Sequence, residues 1–141
     1  MNPVDLAFAP ALKQSELIRR KEVSPLELVE LYLERIQQYN SKLGSYFTVT
    51  AEQAIDDAKS KTEMLAQTED LPLFFGVPIS IKDLNPVAGV PCSYGNAALL
   101  GNVPDYDDGV VAKIKQAGFI ILGKTASSEL GSFPYTEATG F

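Results

Sequence analysis

The stretch GVPISIKDLNPV, residues 76–87, sets Lys82 at the end of a short strand-forming run and follows it at once with Asp83 and a proline-marked turn. A lysine held among apolar strands loses its charge more easily, because burial disfavours the ammonium form, and can then serve as a general base. A solvated lysine at a strand end has the same local sequence. The chain contains no histidine. A Ser/His/Asp triad, a Cys/His pair and a histidine-ligated zinc site are therefore excluded within it, and acid–base work falls to Lys, Asp, Glu or Tyr.

Other reactive residues carry weaker signals. Cys92 has no histidine to activate it and no basic neighbour in its loop, so it reads as a buried or incidental thiol. Asp107 and Asp108 fit charges at a helix start better than a metal pair. Gly118, Gly123 and Gly131 fit cap or turn roles, and with neither a Walker A nor a GxGxxG pattern no nucleotide site is expected. No metal pair is expected at these aspartates.

These residues must be positioned by a chain of 141 residues, enough for one unit that hides roughly 70% of its unfolded surface. The net charge of −6 and the dispersal of the basic residues argue against a nucleic-acid partner. The Arg19, Arg20, Lys21 cluster falls at the end of an expected helix, where cations favour the macrodipole. No apolar run approaches the length of a membrane span, the first ten residues do not read as a signal peptide, and a lone cysteine fits a reducing compartment. A cytoplasmic protein without a membrane partner is the expectation.

Residues 1–70 read as mainly helical and 71–141 as α/β, together one unit. Pro10 is expected to open a helix over residues 10–21. In SPLE, Ser24 and Glu27 can satisfy each other's orphan amides around a proline at the first helical position, starting a helix to about Tyr39 whose Leu26, Val29, Leu33 and Ile36 share one face. SYFTV reads as a strand or extended connector. TAEQ, residues 50–53, reads as a second capping box opening a helix with a small-residue face at Ala51, Ala54, Ile55 and Ala58. The run ending at Lys82 reads as a strand in which Ile79 and Ile81 face one side and Ser80 and Lys82 the other. A long Gly/Pro/Asn-rich stretch follows, of a length that usually marks function or disorder. Next come a helix with acidic residues at its start and Gly118 at its end, and a buried strand over residues 119–124. That order predicts a crossover joining parallel strands, with the segment after Lys124 at the strand end where open α/β sheets place ligands.

GVPISIKD, AGVPCSYGNAAL and DDGVVAKIKQAGFIILGKT, in that order, resemble the N-terminal part of the amidase signature family, and residues 17–49 are similar to its opening helices. The resemblance covers nearly the whole chain. It implies an α/β fold in which N-terminal helices precede the beginning of a mixed sheet flanked by helices, an incomplete fold. It also implies amide hydrolysis by a lysine, a serine on a cis peptide and a nucleophilic serine. Lys82 falls on the family's catalytic lysine.

The chain departs from the family after that. No GGSSGG-like segment occurs in it, and Ser80, Ser93, Ser127, Ser128 and Ser132 match neither catalytic serine. The resemblance places the long loop and the segment after Lys124 near a substrate pocket, with Ser128, Gly131 and Ser132 as candidates for lining it. An ordinary turn after a strand explains those three equally well. The expectation is an amidase fragment, inactive alone, whose complete enzyme takes a small-molecule amide. A fragment of the glutamine-hydrolysing subunit of a transfer-RNA amidotransferase is an alternative, as is a non-catalytic module that binds a partner or forms a homo-oligomer through exposed sheet edges.

Overall fold

The computed structural model describes residues 2–137. Its first half is helical: α1 (Pro3–Ala7), α2 (Ala11–Arg19), α3 (Pro25–Leu43) and, after strand β1 (Tyr46–Val49), α4 (Ala51–Leu65). The second half holds β2 (Pro78–Lys82), a 3-10 turn at Ala97–Leu99, α5 (Gly109–Gln116), β3 (Ile120–Thr125) and a second 3-10 turn at Glu129–Gly131.

The start of α3 follows from its capping residues. Ser24 Oγ accepts the Glu27 amide at 3.1 Å, and the Ser24 amide donates to Glu27 Oε2 at 2.7 Å, around Pro25 at the first position. The helix runs four residues past Tyr39 because nothing forces a left-handed conformation until Gly44, which has φ 58° and donates to the Asn40 carbonyl.

Two other helix starts differ from the expectation. Pro10 lies just before α2 rather than in its first turn. Thr50 precedes α4 without capping it, because its hydroxyl donates to the Ile121 carbonyl at 3.2 Å and its amide donates to the Leu122 carbonyl. The sheet has taken the group that the second capping box required.

The sheet has the order β1-β3-β2. β2 and β3 are parallel, as the crossover through α5 requires, and β1 is antiparallel to β3. Ile120 and Leu122 point to one side, where Val29 of α3 and Ala54 and Ala58 of α4 cover them. Ile79, Ile81 and Ile121 point to the other, against Val87, Val90 and Val111. A further cluster ties Leu28 to Leu17, Ile18, Phe75 and Val77, while Arg19 donates to the carbonyls of Leu71 and Pro72 and fixes the approach to β2. Gly123 is required at the centre of β3: it has φ 152°, and a Cβ there would lie 2.2 Å from the Thr48 carbonyl oxygen.

Candidate active site

β2 ends on Lys82, and the charged residue just past it, Asp83, goes the other way. Alternation along a strand sends neighbouring side chains to opposite faces. Lys82 is exposed and Asp83, immediately after it, is buried at 1%. Lys82 is in register with Thr125 of β3, and Thr125 with Tyr46 of β1, so these three form one row across the sheet. Two residues earlier, the Ser80 hydroxyl is hydrogen-bonded to the Tyr46 hydroxyl.

The buried lysine is a different one. Lys124, at 0% exposure, directs its Nζ to Asp83 Oδ1 at 2.9 Å. Asp83 Oδ2 accepts the Ser93 hydroxyl at 2.6 Å and the Ser93 amide at 3.0 Å, and the Asp83 amide donates to the Thr125 carbonyl. The Gly95 amide in turn donates to Ser93 Oγ at 3.1 Å. Among the described residues no buried side-chain nitrogen or oxygen lacks a partner. Lys124 is thus engaged inside the protein, and Lys82 is the lysine presented to solvent at this end of the sheet.

Asp83, Ser93 and Lys124 were not assigned roles from the sequence. The signal available was a lysine inside the apolar run of residues 119–124, since a buried ammonium needs an anion. The parallel register that pairs Ile81 with Lys124 brings Asp83 within reach.

The long segment after Asp83 is ordered by its own hydrogen bonds. Gly89 donates to Pro104, and Cys92 to Asn102, whose side chain returns a bond to Cys92. Asp108 caps α5 by accepting from the Val110 amide, which together with the Asn85 side chain holds its carboxyl below the ordinary range. Burial works to raise the Asp107 carboxyl, but hydrogen bonds from Lys115 and the Ala88 amide outweigh it, leaving that carboxyl lowered. Both aspartates therefore have structural partners, and among the described residues no cluster of three or more His, Cys, Asp or Glu side chains could hold a metal. Cys92 is buried.

Of the three proposed pocket residues, Ser128 lines a cavity of about 210 Å³ together with Gly95, Asn96, Glu129, Phe133 and Tyr135. Gly131 and Ser132 are exposed, at the end of the second 3-10 turn and just past it. The loop after β2 and the segment after β3 meet at this cavity. Asn96 donates to Glu129 at 2.7 Å, Leu130 donates to the Tyr94 carbonyl, and a Cβ on Gly95 would lie 2.6 Å from the Ser127 carbonyl oxygen. Because β2 and β3 are parallel, both segments leave from the end of the sheet that carries Lys82.

The sequence profile of the Amidase family matches residues 27–141. The chain belongs to the amidase family. A Synechocystis sp. protein provisionally named an amidase is 54% identical over 97% of this chain, which spans only 28% of that relative. A glutamyl-tRNA(Gln) amidotransferase subunit from Sulfurihydrogenibium sp. is 35% identical over 90% of the chain and 26% of its own length. Among solved structures, a bacterial aryl acylamidase of the amidase signature enzymes superposes with a TM-score of 0.82 at 25% identity, over 87% of this chain and 26% of that one. The α/β fold with opening helices and a mixed sheet is that of amidase-signature enzymes. Among the described residues of this amidase-family chain, no helix is long and apolar enough to cross a membrane.

Proposed function

We propose that this chain is the N-terminal part of an amide hydrolase and supplies its base, Lys82. The observation that carries this reading is the Amidase-family match over residues 27–141, within which Lys82 ends β2. Lys82 is exposed rather than held among apolar strands, so the enclosure that a lysine base needs comes from the rest of the hydrolase. Lys124 is buried on Asp83, whereas Lys82, at the same end of the sheet, is exposed and is not among the residues lining the cavity between the loop and the post-β3 segment.

No GGSSGG-like segment lies in these 141 residues, so in this reading the rest of the hydrolase supplies the two serines of the family's mechanism. In that mechanism neutral lysine accepts a proton through the bridging serine as the nucleophilic serine oxygen attacks the amide carbonyl carbon. The carbon–nitrogen bond breaks as the leaving amine takes a proton, and water then cleaves the acyl ester. The substrate is a small-molecule amide, and the chain alone is inactive. Neither a metal nor an organic cofactor enters these steps.

Ammonia release from simple aliphatic and aromatic amides, measured on the 141-residue chain, tests the inactivity. No release above background is expected. Turnover that disappears in Lys82→Ala would overturn it.

The amidotransferase relative supports a second reading, a fragment of a glutamine-hydrolysing subunit. The higher identity to the amidase relative favours the first. A chimaera of this chain with the remainder of the Synechocystis relative that hydrolyses glutamine but no simple amide would reverse that preference.

A further inference from the structure

We propose that Asp83 is a positioning residue for Lys82, its carboxylate fixing the point at which β2 ends and the direction in which the Lys82 side chain leaves the sheet. The proposal rests on the reading of Lys82 as the base. Lys82 is bracketed by fixed neighbours: Ile81 is buried opposite Lys124, and the Asp83 amide is bonded to Thr125 while its carboxylate takes Lys124 and both donors of Ser93.

Taking two charges out of water costs several kcal/mol per ion, and an apolar pair of similar volume often fills such a site with no loss of stability. What an apolar pair cannot supply is direction. Three donors converge on one carboxylate, so rotation of Asp83 breaks at least one charge-assisted bond. The same group organises the cavity wall, because Ser93 Oγ accepts from Gly95, which packs on the Ser127 carbonyl beside Ser128. The base and the two cavity-forming segments therefore share one anchor.

The test uses this chain with the apolar pair Asp83→Leu/Lys124→Met, read by amide hydrogen exchange and by the Lys82 side-chain Cε–Hε NMR signal, which reports where the side chain points rather than the neighbouring substitution itself. The Asn85 amide, which donates to the Lys82 carbonyl at 3.1 Å, reports the turn, and the Ala54 amide reports α4 as a control. Exchange at Asn85 is expected to rise about tenfold or more, with Ala54 within about threefold of the parent and the Lys82 signal displaced. Unchanged Asn85 exchange and an unmoved Lys82 signal in a folded variant would overturn the proposal.

If the pair does not fold, Ser93→Ala decides, since it removes one donor and leaves the ion pair. A rise of about threefold at Asn85 supports the positioning role, and no rise there contradicts it. Neither readout needs turnover, so failure here and failure of the amidase reading are separable.

Discussion

Lys124 Nζ lies 2.9 Å from Asp83 Oδ1, joining the ends of two parallel strands through a pair that has no access to solvent. Removing one member strands the other. Asp83→Ala is expected to cost roughly 3–5 kcal/mol, whereas Asp83→Leu/Lys124→Met stays close to the parent or exceeds it. Urea denaturation followed by circular dichroism measures both. Equal losses in the single and double variants would contradict the account.

The capping box of α3 gives a pH dependence. The Ser24 amide, and next the Ser24 hydroxyl, hold the Glu27 carboxyl below its ordinary value of 4.5. A carboxylate lowered on folding adds stability above its unfolded pKa, and that contribution is lost as the pH falls through the folded one. Denaturation midpoints at about pH 7 and about pH 3 should therefore differ less in Glu27→Gln than in the parent. Ser24→Ala should cost about 1 kcal/mol at neutral pH.

Gly95 has φ 70°, and a Cβ there would meet the Ser127 carbonyl at 2.6 Å. Gly95→Ala is expected to destabilise the chain by roughly 1–3 kcal/mol. It should also move the NMR signals of Ser127 and Ser128, while those of α2 stay in place. Unmoved signals at Ser127 and Ser128 would mean the two segments do not share this contact.

β1 and β2 are the outer strands of the sheet and each leaves one edge without a strand partner among the described residues. Open edges template pairing with other chains. Light scattering coupled to size exclusion should show a mass that rises with protein concentration; a monomer at every concentration would contradict association through the sheet.

The sequence revealed most where a signal was local. Ser24, Pro25 and Glu27 predict α3 because all three partners lie within one turn, and β, helix, β order predicts the parallel pair. The same kind of signal misled at Thr50, whose hydroxyl a strand distant in sequence captures. Lys124 illustrates the site's hidden part. Its partner is 41 residues away, and only the register of β2 on β3 selects Asp83. Lys82 is singled out by resemblance alone, and its exposure, with the burial of its neighbour, emerges from the fold.

The most direct measurement is ammonia release by a chimaera in which this chain replaces the matched 140 residues of the Synechocystis relative. The chimaera is expected to hydrolyse a simple amide, and Lys82→Ala to lower kcat/KM by roughly 100- to 10,000-fold while the folded fraction is unchanged. A Lys82→Ala chimaera as active as its parent would contradict the assignment of Lys82 as the base.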